Sequence, residues 1–265
     1  MILAIDIGNS NIVIGAVDNK NVHFVSRMST DRRQTEDQLA ISFLEILTLY
    51  RMEKENFEGC IISSVVPQLN GAFFEAVKKA IGIEPIFVGP GIKTGLKINT
   101  NNPSQLGCDL VVDNVAARFL YKTAVIVIDM GTATTISVTD NDNNFIGCAI
   151  MPGVTVSLNA LTNNTALLQG ISLDNPKNTI ETNTTDCMKS GIIYGNACML
   201  DGMLDRFLCE LSQKGIKKEG ITIVATGGHS KYIVPYCKHE IHYEKNLLLT
   251  GLYVIWENNK KKGNK

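Results

Sequence analysis

The sequence is short of net charge, of paired cysteines and of long apolar runs, and each shortage removes a class of function. Lys+Arg total 25 against Asp+Glu 26 in 265 residues, a formal charge of −1. That balance offers no basic field for nucleic acid or for an anionic membrane surface. The one basic run, Lys260–Lys262, reads as a solvated terminus. The cysteines at 60, 108, 148, 187, 198, 209 and 237 are odd in number, with no Cys-x-x-Cys and no histidine partner at zinc spacing. They predict buried free thiols in a reducing compartment. His23, His229, His239 and His242 form no metal or triad pattern. No stretch approaches the roughly 20 apolar residues of a membrane span; the best, Leu247–Trp256, is interrupted by Thr250 and Gly251. Met1 runs straight into an apolar strand without a basic leader, so a soluble cytoplasmic protein is expected. A Walker loop is missing too. In Gly89–Gly95 no Gly-Lys pair occurs and the glycines run G-x-G-x-x-x-G, one residue too long for a dinucleotide fingerprint. That segment is left as a crossover loop or a substrate-contacting one.

What is present is a chain 45% apolar and 19% charged, enough for a full core. Ile/Val-rich runs at Met1–Ile7, Asn11–Val17 and Val22–Met28, separated by turn residues, predict three consecutive strands. A helix from Thr35 to Tyr50, a strand Gly59–Ser64, a helix Leu69–Ile81, a strand Pro85–Val88 and a helix Gly107–Tyr121 follow. The second half repeats the order, with strands Ala124–Asp129, Thr134–Thr139 and Phe145–Pro152, helices from Val154 and over Asp186–Glu210, and a strand Ile221–Ala225. A short helix from His229, a strand near Glu240–Tyr243 and a helix Leu247–Glu257 complete it. Asn163–Thr185, polar and interrupted by Pro176, reads as a long ordered loop. The expected fold class is α/β, with duplicated βββαβαβ halves, residues 1–118 and 119–265.

The duplication extends to individual residues. Ile5-Asp6-Ile7-Gly8-Asn9-Ser10-Asn11 aligns with Ile128-Asp129-Met130-Gly131-Thr132-Ala133-Thr134, 123 residues later. A strand ending in Asp before a Gly-containing turn presents backbone N–H groups and small hydroxyls, a nest for phosphate oxygens. Gly8 and Gly131 permit close approach, and Ser10, Thr132, Thr134 and Thr135 add hydroxyls. Asp6 and Asp129 would repel phosphate, so they imply an intervening cation; Mg²⁺ suits carboxylate and phosphate together. Ordinary hairpin turns are the competing reading, weakened by the repetition. Thr226-Gly227-Gly228, ahead of His229, offers a surface for a nucleoside or a plain strand-to-helix turn. Asp109, opening a helix after Gly107-Cys108, is either a dipole-favoured charge or the proton acceptor of a kinase.

In this order the motifs resemble those of type III pantothenate kinases, in the superfamily of acetate and sugar kinases, heat-shock chaperone ATPases and actin. They are Asp6–Ser10, Ser63-Ser64-Val65-Val66-Pro67, Gly89–Gly95, Asn102-Pro103 with Gly107-x-Asp109, Asp129–Thr134, Pro152-Gly153, Asn183-Thr184 and Thr226–Gly228. The resemblance implies two ribonuclease H-like, actin-like ATPase domains flanking a cleft, and ATP-dependent phosphorylation of pantothenate, the first committed step toward coenzyme A. It implies that Asp6, Ile7, Gly8, Asn9, Ser10, Asn11, Ile12 and Val13 bind phosphate, with Gly131, Thr132, Thr134, Gly227 and Gly228 on the ATP side. It further implies Mg²⁺ near Asp6, a monovalent cation (K⁺ or NH₄⁺) on Asp129, and a homodimer. Gly107, Cys108, Asp109, Leu110 and Thr184 would meet pantothenate, with Asp109 as proton acceptor. Two departures stand on the substrate side: Leu110 replaces the family's usual Arg, and Glu181 its usual Gly. They keep two alternatives open, a kinase for another small alcohol and a weakly active regulatory paralogue that binds nucleotide or pantothenate.

Overall fold

The expected succession of strands is realised twice. In a computed structural model, describing residues 1–19, 21–165, 168 and 170–260, the chain forms two compact units, Met1–Leu120 with Asn246–Lys265, and Tyr121–Lys245. Lys261 and Lys262 of the basic tail, and Ala166, Leu167 and Gln169 of the polar loop, lie outside the described residues.

The first unit runs β1 (Ile2–Ile7), β2 (Asn11–Val17), β3 (Val22–Ser29), α1 (Glu36–Leu49), β4 (Gly59–Ser64), α2 (Asn70–Ile81), β5 (Ile86–Phe87), β6 (Lys97–Ile98) and α3 (Cys108–Tyr121). Its main sheet has the order β3-β2-β1-β4-β5, with β1 antiparallel to β2 and parallel to β4. Central strands covered on both faces read as unbroken apolar runs, as β1 does. One face carries Leu3, Ile5, Ile7, Ile12 and Ile14 against Leu39 and Phe43 of α1 and Phe73 and Val77 of α2. The other carries Ile2, Ala4, Val17 and Ile61 against Val111, Val112 and Val115 of α3. Helix α1 starts where Thr35 and Gln38 form a reciprocal capping box. Helix α2 stops at Gly82, whose φ of 76° suits a left-handed cap.

The second unit runs β7 (Ala124–Met130), β8 (Ala133–Thr139), β9 (Asn144–Pro152), α4 (Val154–Asn163), α5 (Thr184–Gln213), β10 (Ile221–Thr226), α6 (Ser230–Ile233) and β11 (His242–Tyr243). Within it the strands follow β9-β8-β7-β10-β11, the order of the first unit again. Ile126, Ile128, Met130, Ile136 and Val138 pack under Leu158 of α4 and Ile192, Ile193, Leu200 and Leu204 of α5.

Three expectations are corrected. The last helix, α7 (Leu247–Asn259), belongs to the first unit, where Leu249, Leu252, Ile255 and Trp256 complete the face shared with α3. The chain passes from the first unit to the second between Leu120 and Tyr121 and returns to the first at Asn246. Gly251 faces the Val112 carbonyl and Gly59 the Trp256 indole, each with no room for a Cβ, so these contacts demand glycine. Helix α5 begins at Thr184, earlier than expected, because Asn183 caps it by accepting the Asp186 N–H at 3.0 Å. All seven cysteines are free, but only Cys60 is buried; Cys148, Cys187, Cys198 and Cys209 are exposed. Among the described residues no helix is long and apolar enough to cross a membrane.

Candidate active site

The first hairpin is set by β1 and β2, whose ladder ends at the pair Ile7 and Ile12. The Gly8 N–H donates to the Asn11 carbonyl at 3.0 Å, and a Cβ on Gly8 would sit 2.9 Å from that oxygen. Asn9 and Ser10 form the exposed tip. Thr30, at the end of β3, braces it: its hydroxyl donates to the Gly8 carbonyl at 2.7 Å and its N–H to the Ser10 carbonyl at 3.1 Å. Ile7 and Ile12 are fully buried, so these two expected phosphate residues offer their backbone alone.

Asp6 pairs across the sheet with Val13 and, on the parallel side, with Ser63 of β4. Ser63 in turn meets the start of α3. The Cys108 thiol lies 3.3 Å from the Ser63 hydroxyl, accepts the Ser64 N–H at 3.2 Å and donates to the Ser64 carbonyl at 3.0 Å. Burial pushes the Cys108 thiol above its ordinary pKa, with the Asp109 and Asp6 carboxylates adding to the rise, so it stays a donor. Asp109 follows in the first turn of α3. Its Oδ1 accepts the Leu110 N–H at 2.8 Å and folds back over Gly107, where any Cβ would collide with it. Burial raises the Asp109 pKa above the usual carboxylate range, and the Leu110 amide pulls it partly back. Within the first unit, then, Asp6, Ser63, Cys108 and Asp109 form one continuous cluster at the strand ends. Leu110 itself is buried, 8% exposed, where the resemblance leads one to expect a guanidinium.

In the second unit β7 and β8 make the matching hairpin, ending at the pair Met130 and Thr134. The Gly131 N–H donates to the Ala133 carbonyl at 3.0 Å. This turn is one residue tighter than the first, so Thr134 corresponds to Ile12 rather than to Asn11. Like Ile12 it is fully buried, its hydroxyl without a hydrogen-bond partner among the described residues. Thr135 takes the place of Val13, directly across from Asp129, and its buried hydroxyl has no hydrogen-bond partner among the described residues. Exposed Thr132 remains at the tip. The amides of Gly8 and Gly131 each close their own turn.

Gly227 and Gly228 play different parts. With φ of 91°, Gly227 lies so close that a Cβ would meet the Asp129 Oδ1 at 2.5 Å and the Met130 N at 2.6 Å. Gly228 is exposed, with open space where a Cβ would be. His229 then donates its N–H to the Met130 carbonyl at 3.4 Å and holds the Thr155 hydroxyl of α4 at 3.0 Å through Nε2. Burial, reinforced by Lys231, lowers the His229 pKa. Gly153 packs on the carbonyls of Gly131 and Thr132. Thr184 is exposed at the first residue of α5, in the second unit, whereas Gly107–Leu110 belong to the first. Glu181 is engaged in its own loop, its carboxylate accepting the Asn178 N–H at 2.7 Å.

The sequence profile described as type III pantothenate kinase matches residues 2–206. The chain belongs to that family. It is 36% identical over 260 residues to the type III pantothenate kinase of Citrifermentans bemidjiense, covering 98% of this chain and 100% of that protein. Among solved structures it resembles a Campylobacter jejuni protein described as a Baf family transcriptional activator, at 21% identity and a TM-score of 0.55 over 97% and 98% of the two chains. It also resembles the activator of 2-hydroxyisocaproyl-CoA dehydratase from Clostridium difficile, solved with bound ADPNP, at 9% identity and 0.54 over 100% and 98%. At these identities the structures speak for the fold alone, the duplicated ribonuclease H-like fold of actin-like ATPases. The pantothenate kinase family makes the chain a phosphotransferase.

Proposed function

We propose that the chain transfers the terminal phosphoryl group of ATP to the terminal hydroxyl of pantothenate, with Asp109 accepting the hydroxyl proton. The observation that carries this is the clasp beneath Asp109. Cys108 fixes the first turn of α3 to Ser63 and Ser64, beside Asp6, while burial makes the Asp109 carboxylate a stronger base than an exposed one. Proton acceptor and phosphate-side carboxylate thereby share one rigid frame, the arrangement phosphoryl transfer needs when positioning supplies most of the catalysis.

On the ATP side, the tips at Asn9-Ser10 and Thr132, with exposed Gly228, are assigned to the phosphates and nucleoside. Asp6 and Asp129 supply only oxygen ligands, and among the described residues no cluster of three or more His, Cys, Asp or Glu could hold a metal alone. A donor set of single carboxylates fits Mg²⁺, which keeps its waters and shares phosphate oxygens, at Asp6. Asp129, backed by the Thr135 hydroxyl, fits a monovalent cation such as K⁺ or NH₄⁺. Such cations neutralise charge on the transferring group. Gly107–Leu110 and Thr184 are assigned to pantothenate, and a cytoplasmic homodimer is the setting inferred from the family.

A coupled ADP-release assay tests the reading. Pantothenate is expected to give turnover well above a panel of other small alcohols; no turnover with pantothenate but turnover elsewhere would reject it. One observation favours the second outcome: Leu110 places hydrocarbon where the family's arginine is expected to hold the acceptor's polar end.

A further inference from the structure

The first hairpin segment, Asp6–Val13, contains an acid and no base, yet it is assigned to a polyanion. A positive charge reaches the tip from 23 residues along the chain: the Arg32 guanidinium donates from Nη2 to the Asn9 Oδ1 at 3.3 Å. We propose that Arg32 is a polyphosphate-binding residue of the nucleotide site, supplying in cis the positive charge that the hairpin lacks. The inference rests on reading that hairpin as the phosphate site.

Three features place the side chain for this role. The segment that carries it is pinned to the hairpin by both hydrogen bonds of Thr30, to Gly8 and to Ser10, and α1 begins immediately afterwards at the Thr35 capping box. Arg32 thus stands on a braced turn at the tip. The neighbouring Arg33 is engaged differently, held by Asp31 through Nε at 3.1 Å, Nη2 at 3.3 Å and its backbone N–H at 3.0 Å. Among the described residues no carboxylate pairs with Arg32, which is exposed. Arginine is also the side chain best suited to gripping phosphate. Its planar fork meets phosphate oxygens with two parallel donors and never loses its charge. Contact with Asn9 uses one donor of five and orients the rest beside the tip.

The test compares Arg32→Gln and Arg32→Lys with the parent and with Lys54→Gln, a surface charge change elsewhere in the first unit. Binding of ATP and of inorganic tripolyphosphate is measured by titration without acceptor, then KM for ATP and for pantothenate in turnover. For Arg32→Gln, affinity for ATP and tripolyphosphate is expected to fall about tenfold, and its salt dependence to flatten. KM for pantothenate and the melting temperature are expected to hold. Arg32→Lys should recover part of the loss, and Lys54→Gln should match the parent. ATP and tripolyphosphate affinities within twofold of the parent for Arg32→Gln would overturn the inference while leaving the kinase reading intact. A parent that binds ATP but does not turn over pantothenate would overturn the substrate assignment and leave the Arg32 result standing. A parent that binds neither ATP nor tripolyphosphate would overturn both.

Discussion

Asp109 joins two opposed demands in one carboxylate. Its surroundings raise its pKa mainly by burial, so the ionised form needed to accept a proton is the form the folded state disfavours. The sign follows from linkage. A carboxyl whose pKa is higher when folded contributes stability below its unfolded value, about 3.9, and loses it as pH rises through the folded value. Asp109→Asn removes that cost. It is therefore expected to raise the melting temperature slightly at pH 7 to 8, with no gain near pH 3, where both forms are neutral. Turnover should fall by roughly 10²- to 10⁴-fold, the range for losing a positioned base. In the parent, activity should decline on the acid side at a higher pH than an ordinary carboxylate would give. Calorimetry across pH with parallel rate measurements checks all three; a variant destabilised at pH 7 would show that the ionised group is held by interactions that outweigh its burial. Cys108 offers a second test. Cys108→Ala leaves the Ser64 N–H without the thiol and is expected to cost about 1 kcal/mol, whereas Cys108→Ser retains a donor and acceptor and should recover most of it, as read by urea unfolding.

At the level of elements, the turns decide which residues of a motif face a ligand. Gly227 and Gly228 are equivalent as letters, but only Gly227 has positive φ and lies against Asp129 and Met130. Gly227→Ala is expected to cost about 2 kcal/mol or more, from the left-handed backbone and the overlap together. Gly228→Ala should stay within about 0.5 kcal/mol in stability and, if the exposed glycine meets the nucleoside, raise KM for ATP. Equal stability losses in the two variants would contradict the geometry. The same distinction marks what the sequence made legible. Strand and helix order followed from apolar periodicity, and the Asp-x-Gly hairpins from their repetition. An alignment without gaps hides that the second turn is one residue shorter, so that Thr134 stands level with Ile12 rather than with Asn11, and in a strand one residue exchanges the faces. Arg32 and Ser63 stand outside the expected site because their contacts are made through a braced loop or across strands, whereas Thr135 is among the expected turn hydroxyls. The parallel pairing of β1 with β4 was the signal available for Ser63: it brings the ends of the two strands level, at Ile7 and Ser64.

For the whole molecule, the chain's end completes its beginning. Helix α7 fills the face of the first sheet made by Ile2, Ala4, Val17 and Ile61, which it shares with α3 and with partly buried Ile92, Leu96, Ile98 and Leu106. Trp256, 6% exposed and stacked over Gly59, is its largest contribution. Trp256→Ala is expected to cost about 3–5 kcal/mol, and a chain stopped after Lys245 should lose cooperative unfolding of the first unit altogether, with exposed apolar surface that binds a hydrophobic dye. The consequence reaches into folding. A domain contiguous in sequence can finish as it leaves the ribosome, but this first unit waits for its last strip of core until residues 247–256 are made, after the whole second unit. The helix cannot be replaced by a smaller plug, because Gly251 lets its backbone close on Val112 and Gly59 lets the indole close on β4. A truncated chain that melted cooperatively at the parent's midpoint would mean that α3 and the apolar residues of the preceding loop cover the sheet, and the duplicated half would then be complete without its returning helix.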